Sequence, residues 1–339
     1  KIKSQLSLTK LPSFHKSSYC YSHVMDGANL ISAVRILIIK PSSLGDVIHA
    51  LRVVAQIKNQ MPNAKIDWVI KKELEEIISS TGLIDRVFLF SRGKGFFDYL
   101  RLIMKISRTR YDFVLDLQGL LRSAVILKFS SSVKKLGRAD GRELSTLFYE
   151  SVGGKSREKS IHAIDRIVPF IKSVGLTQFD PSLPLYFPNS RLDDGVKKSI
   201  PQEKFILLFP ESRRKEKIWP KFNRLVDELN KLFPSQVVVA GNEKVDNFGK
   251  VTDLRGSLKL KELPSLIGRA KLIIANDSAP LHIASAMGKP LVGLFGPTES
   301  SRYGPYPYGQ KCTKIFTGSG NDINSISVQA VLKSIQNML

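Results

Sequence analysis

Cysteine is almost missing: the chain has only Cys20 and Cys312, far apart in sequence. They supply neither a metal-ligand spacing nor a disulfide framework, which suits the reducing cytoplasm. No apolar run reaches the roughly 18 residues that a membrane-spanning helix needs. Tandem repeats and low-complexity tracts are also lacking, which excludes solenoids and disordered arrays. Acidic residues are scarce, 30 against 52 basic ones, leaving a net charge of +22. A field of that sign favours polyanions, and nucleic acid and an anionic lipid surface both qualify. No helix-turn-helix, zinc module or aromatic RNA-binding signature accompanies the charge, so nucleic acid is not the expected partner.

What is present reads as an ordinary globular chain. Hydrophobic residues make up 42% and charged residues 24% of 339 positions, enough for two domains with separate cores. Residues 1–24 carry Lys1, Lys3, Lys10 and Lys16, no acidic residue and no apolar periodicity. They lack the apolar core of a secretory signal and read as an upstream extension or leader, the alternative being a basic arm. We therefore set residues 1–33 apart as an extension, disordered or not native.

From Arg35 onward, short apolar runs alternate with amphipathic stretches. Residues 35–39, Arg-Ile-Leu-Ile-Ile, predict a strand buried on both faces, and 47–60 a helix. Further strands are expected at 65–70, 86–90 and 112–117, with helices at 73–80 and 97–107. The pattern restarts with strands at 205–209, 237–240, 272–275 and 291–294 and a helix at 222–232, where Pro220 would start the first turn. Between the halves, 187–204 gathers Pro, Asn, Asp and Gly without a clean strand, and a hinge is placed there. The fold class is thus α/β: two Rossmann-like, doubly wound parallel-sheet domains at 34–190 and 200–324 facing a central cleft, then a final helix at 325–339.

Ligands of such sheets bind beyond the carboxyl ends of the strands, so the loops there carry the chemistry. The first loop runs Ser42-Ser43-Leu44-Gly45-Asp46-Val47-Ile48-His49. On spacing alone Asp46 either caps the following helix or projects into the cleft as a base. The second, Pro210-Glu211-Ser212-Arg213-Arg214-Lys215-Glu216-Lys217, sets basic residues before a helix start, a place for phosphate or a merely solvated loop. The third, Asn276-Asp277-Ser278-Ala279-Pro280-Leu281-His282, puts a carboxylate and an imidazole near one helix end, unless Asp277 only caps and His282 is only buried.

Five blocks now line up in order: Ser42 to His49, Asp116-Leu117-Gln118-Gly119-Leu120-Leu121-Arg122-Ser123, Lys217-Ile218-Trp219-Pro220, Asn276 to His282, and Phe295-Gly296-Pro297-Thr298. Together they resemble the signatures of heptosyltransferase I, within the ADP-heptose:lipopolysaccharide heptosyltransferases of glycosyltransferase family 9. The resemblance implies a GT-B fold and inverting, metal-independent transfer of L-glycero-D-manno-heptose from ADP-heptose to the Kdo of Kdo–lipid A. No cofactor is implied, and the place of action would be the inner face of the inner membrane, with the enzyme peripheral to it. Asp46 would be the base, and Lys217 would neutralise the departing diphosphate. Ser212, Arg213, Asp277, Ser278, Ala279, His282, Gly296 and Thr298 would serve the donor. Ser43, Gly45, His49, Gln118, Arg122, Arg138 and Arg142 would serve the acceptor, the arginines meeting its anionic groups. The stretch 93–102, with Phe96, Phe97 and Tyr99 among basic residues, is either a membrane-touching edge or a core helix with charged flanks.

The chain departs from the family pattern at four places, one of them Arg214, where an aromatic residue is often found. Glu211 stands where glycine is common, which brings negative charge toward the expected phosphates. Arg52 replaces a usual proline, with little consequence expected, and Ala279 a usual glycine. Competing readings are a heptosyltransferase II or III, a nucleotide-sugar 2-epimerase, a basic nucleic-acid-binding protein, and an inactive homologue that only binds donor.

Overall fold

The computed structural model describes residues 33–91, 93, 95–154, 161–243 and 247–339. The expectation for residues 1–24 lies outside the described residues. In the first half, strands β1 (Arg35–Ile39), β2 (Lys65–Lys71), β3 (Arg86–Phe90), β4 (Arg110–Asp116), β5 (Ser131–Arg138) and β6 (Glu150–Val152) alternate with helices α1 (Leu44–Gln60), α2 (Glu75–Ser79), α3 (Phe96–Ser107) and α4 (Leu121–Phe129). Helices α5 (Pro169–Ser173) and α6 (Asp194–Ser199) lead into the second half. There β7 (Ile206–Phe209), β8 (Val237–Val239), β9 (Thr252–Asp253), β10 (Leu272–Asn276), β11 (Leu291–Phe295) and β12 (Thr313–Thr317) alternate with α7 (Phe222–Leu232), α8 (Leu263–Arg269), α9 (Ala279–Ala286) and α10 (Ser300–Tyr303). Helix α11 (Val328–Met338) closes the chain.

Both sheets are wholly parallel and share one topology. The first has the order β3-β2-β1-β4-β5-β6 and the second β12-β11-β10-β7-β8-β9. Ile36 to Ile39 of β1 are sealed on both faces because β2 and β4 flank them and helices cover the sheet. Strand β10 holds the same central place between β7 and β11. The winding reverses between β1 and β4 and again between β7 and β10, so each sheet has a switch-point crevice at the carboxyl ends of those strands. The loops after β1, β4, β7 and β10 emerge at these two places, and the block 295–298 lies at the end of the neighbouring β11.

Helix α1 starts at Leu44, earlier than the apolar spacing from Val47 suggested, because Asp46 reaches back to its own helix start. Its carboxylate accepts from the Ser43 N–H at 3.3 Å and the Ser43 hydroxyl at 3.0 Å. Pro220 falls before α7 rather than in its first turn. The region around 73–80 divides into a single 3-10 turn and the short α2.

The expected hinge, 187–204, contains α6 and is pinned on both sides. Asn189 donates its N–H to Ser80 O at 3.1 Å, and Asp193 N–H reaches the Glu262 carboxylate at 2.7 Å. Upstream, Leu185 N–H bonds Ala286 O at 2.7 Å. One apolar cluster runs from Ile36, Ile48 and Leu51 through Ile164, Phe170 and Leu185 to Leu207, Leu281 and Ile283, so the two halves share a core. A second cluster, of α7, α11 and the strands between, belongs to the C-terminal half alone.

The minor role expected for Arg52 is corrected here. Its side chain is buried between the halves, donates Nη1 to Tyr306 O at 2.8 Å and Nη2 to Pro181 O, and lies 5.3 Å from the Tyr306 ring centroid. One turn on, Gln56 donates to Asp180 O at 2.6 Å. Replacing Arg52 by leucine keeps the packing but leaves the part-buried Pro181 carbonyl without its donor and Tyr306 O with only the Ser285 hydroxyl at 3.4 Å, a loss of about 1–3 kcal/mol. Urea unfolding of Arg52→Leu should show a clearly lowered midpoint; an unshifted midpoint would deny Arg52 this clamping role.

Candidate active site

The two crevices meet. Helix α1 follows β1, helix α9 follows β10, and their first turns touch at Gly45 and His282. A Cβ at Gly45 would lie 2.7 Å from His282 Cδ2, closer than side chains approach one another, so only glycine admits the imidazole. On one side of this contact stands Asp46, on the other the pair Lys217 and Asp277, joined at 2.6 Å.

Asp46 is the more open carboxylate, its side chain 43% exposed. Burial of its inner face pulls its pKa upward. Lys40, 3.5 Å away and itself sealed from solvent, together with His49 and the two Ser43 bonds, outweighs this and holds it well below the ordinary carboxylate range. Burial in turn lowers the Lys40 ammonium, with Asp46 opposing. A carboxylate kept ionised, with one face to the cleft, can accept a proton from a hydroxyl placed there.

All the described histidines gather behind this point. His49 and His282 meet edge to face with centroids 5.0 Å apart, and His162 lies 5.6 Å from His49. Burial depresses each of them, reinforced for His49 by His282, so each imidazole takes up a second proton less readily than a free one. His162 is fixed by Gly304 O at 3.0 Å and by the Ile164 N–H at 3.2 Å. His282 Nε2 stands 3.9 Å from Asp277. Among the described residues, no group of three His, Cys, Asp or Glu side chains is arranged to hold a metal ion.

Several buried polar atoms here lack any partner among the described residues: His49 Nδ1, Gln118 Oε1, Ser278 Oγ and His282 Nδ1. Orphaned polar groups are costly, and their concentration at one spot marks where a polar ligand would complete them. Ser278 precedes α9, whose first N–H groups add a positive dipole end. The arrangement therefore joins a base, an anion-binding helix start and a lysine across one cleft.

Residues 99–325 match glycosyltransferase family 9 (heptosyltransferase). The chain belongs to this family. It is 28% identical over 301 residues to a lipopolysaccharide heptosyltransferase 1 of Campylobacter coli, spanning 79% of this chain and 86% of that one. It is 25% identical over 288 residues to lipopolysaccharide heptosyltransferase 3 of Escherichia coli K12, spanning 77% and 82%. Its fold is that of the E. coli heptosyltransferase WaaC solved with ADP, at a TM-score of 0.74, 21% identity and coverage of 90% and 100%. This chain is accordingly a glycosyltransferase, and its two facing parallel sheets are the GT-B arrangement.

The remaining expected site residues of this family 9 enzyme divide by place. In the C-terminal half, the Ser212 hydroxyl bonds Asp277 O at 3.0 Å and fastens the basic loop to the start of α9. Arg213 is exposed, with no ion pair among the described residues, whereas Arg214 is paired with Glu216 at 2.7 Å. Ala279 opens α9, and Thr298 is half-buried after β11. Gly296 is packed: a Cβ there would lie 2.8 Å from Ile323 Cβ, so the glycine is required by the turn behind it. In the N-terminal half, Ser43 is exposed, Gly45 and His49 line the contact with α9, and Gln118 lies by the β4 crevice. Arg122 and Arg142 are exposed. Arg138 is engaged bidentately with Asp140 at 2.8 and 2.7 Å, and Asp140 also takes Arg166 at 2.6 Å.

Glu211 does not bring loose charge to the basic loop. Its carboxylate accepts the N–H groups of Asn242 and Glu243 at 2.7 and 2.9 Å, beyond β8, and lies over Gly241. Two other residues stood in the signature blocks without an assigned role. Asn276, fully buried, accepts from Trp219 N–H at 3.0 Å and donates to Pro210 O at 2.8 Å, clamping the basic loop against β10. Asp116, also fully buried, takes the N–H groups of Gln118 and Gly119 and the Ser123 hydroxyl, and so shapes the second signature. A carboxylate ending an apolar strand was the available signal for it.

Burial pushes the Asp116 carboxyl up to about 6 against the pull of those donors and Lys40. A carboxyl raised in the folded state contributes stability below its ordinary value of 3.8 and loses it as pH rises through about 6. Unfolding of wild type and Asp116→Asn should thus show the wild type's relative stability falling between about pH 4 and about pH 7. A difference constant over that range would contradict the shift.

Proposed function

We propose that this enzyme transfers L-glycero-D-manno-heptose from ADP-heptose to the Kdo of Kdo–lipid A, with inversion and without a metal ion. The observation that carries the reading is Asp46 facing Lys217 and Asp277 across the Gly45–His282 contact, each group at a switch point of its own sheet. Donor in the C-terminal crevice and acceptor in the N-terminal one would then meet at a single point.

In this reading the ADP diphosphate lies at the start of α9, against Ser278 and the basic loop. Lys217 gives up or shares Asp277 to face the phosphates, with Arg213 as the second cation. Asp277, released on one oxygen, and His282 hold the sugar side. The acceptor hydroxyl attacks the anomeric carbon from the face opposite ADP. The new C–O bond forms as the bond to phosphate breaks, ADP leaves with the electron pair, and Asp46 takes the proton. Positive charge fixed where negative charge develops does the work that a divalent ion does elsewhere. The lipid-borne acceptor places the enzyme at the cytoplasmic leaflet of the inner membrane; among the described residues no helix is long and apolar enough to cross it.

A second acceptor has one observation in its favour: the heptosyltransferase 3 of E. coli K12 is about as similar to this chain as the type 1 relatives are. In that case the hydroxyl comes from a heptose already on the core, with the same chemistry at Asp46. ADP release from ADP-heptose, with de-heptosylated Kdo–lipid A or a heptose-bearing core as acceptor, separates the two. We expect release dependent on Kdo–lipid A, lowered at least about 100-fold in Asp46→Ala. Release only with the heptose-bearing core would move the assignment to the later transferase. Full activity in Asp46→Ala would remove Asp46 as the base.

A further inference from the structure

The carboxyl-end rim of the first sheet carries apolar side chains that nothing among the described residues covers. Phe96 and Phe97, opening α3, are 68% and 76% exposed, and Leu144 and Leu147 in the turn after β5 are 73% and 76% exposed. Leu121, opening α4, is exposed between them. These pieces are tied into one edge. The Tyr99 hydroxyl of α3 bonds Arg122 O at 2.6 Å, and Leu121 N–H reaches the Glu143 carboxylate at 3.2 Å. Arg142 N–H bonds Gly119 O at 2.8 Å.

Two further features set this edge apart from casual exposure. Glu143 and Leu144 are consecutive left-handed residues, at φ 58° and 59°, a conformation side chains disfavour. The bonds from Arg142 and Glu143 hold the turn in that state, and the outcome is a leucine presented outward rather than buried. Strain kept in place at an exposed site points to a use for it. Around the apolar tips stand Arg101, Arg122 and Arg142, all exposed; Arg122 and Arg142 have no ion pair among the described residues. Apolar tips beside three arginines, with the carboxylates of Asp98 and Glu143 engaged by Arg101 and the Leu121 N–H, on a chain of net charge +22, match a surface with a negative face and an oily interior.

We propose that this rim, formed by the starts of α3 and α4 and the turn 142–147, docks on an anionic phospholipid bilayer. The phenylalanines and leucines enter the acyl boundary while the arginines meet the headgroup phosphates. The same strand ends carry Asp46, so a docked rim turns the acceptor side of the cleft toward the lipid. The proposal deepens the reading given above, which supplies the reason to meet a membrane, but lipid binding is measured without any turnover.

The test is flotation of the full chain with phosphatidylcholine vesicles, with and without about 30% phosphatidylglycerol. Wild type is expected to bind the anionic vesicles and hardly the neutral ones. The variant Phe96→Ser/Phe97→Ser/Leu144→Asn/Leu147→Ser should bind at least about tenfold more weakly. The control Phe129→Ser/Val133→Ser, removing exposed apolar groups from the opposite end of the sheet, should bind like wild type. Turnover of a de-acylated, water-soluble acceptor should be the same in all three proteins. Absence of wild-type binding, equal binding to neutral vesicles, an unaffected rim variant or an equally weakened control would each overturn the proposal. The expected binding pattern with no turnover by any protein would support the docking rim and count against the transfer reading instead.

Discussion

The contact between Gly45 and His282 is the constraint on which the rest of the site depends. Two sheets, each able to hold a ligand at its own switch point, become one reaction centre only if their crevices open onto the same spot. That requires the first turns of α1 and α9 to touch, and a β-carbon at position 45 would force the His282 ring or the turns to shift. The touching turns place an ionised Asp46 on one side and the Lys217–Asp277 pair on the other. They also exclude solvent from His49 and His282, which lowers the pKa of both.

Keeping that contact in register falls to buried polar ties more than to the apolar core. Arg52 binds carbonyls from both sides of the junction, Glu262 holds the linker at Asp193, and Ala286 at the end of α9 takes the Leu185 N–H. Apolar packing across the junction gives cohesion but little direction, whereas each of these bonds has one satisfactory geometry. A chain so fastened holds its halves together along α1 and α9, and leaves the open faces of Asp46 and Arg213 to ligands.

Much of the fold was legible because buried parallel strands write themselves as apolar runs. β3 and α7 match their expected limits, and the runs at 35–39 and 272–275 led directly to the sheet centres. The flanking strands β5, β6, β9 and β12 were not legible, since their residues are half exposed and mixed, and pairing with an inner neighbour alone makes them strands. Local turn chemistry suggested a loose hinge at 187–204, but partners far along the chain, Ser80 and Glu262, hold it. At the site, the signature blocks located the loops, and their residue types suggested a base and an anion site. The cap reading of Asp46 is met by one oxygen at the helix start, and its 43% exposed side chain leaves the base reading open. What the blocks could not convey was partnership across long separations: Glu211 with the loop after β8, Gly296 with Ile323, and Arg52 with Tyr306.

The most direct test of this account is Gly45→Ala, followed by two readings on one preparation. Alanine favours a helix more than glycine does, by about 1 kcal/mol, so α1 itself should not suffer. ADP affinity should stay near the wild-type value, because the donor crevice lies in the other half. Transfer should fall about 100-fold, the cost of holding reacting groups an ångström out of place. Transfer at the wild-type rate would contradict the claim that this contact assembles the site.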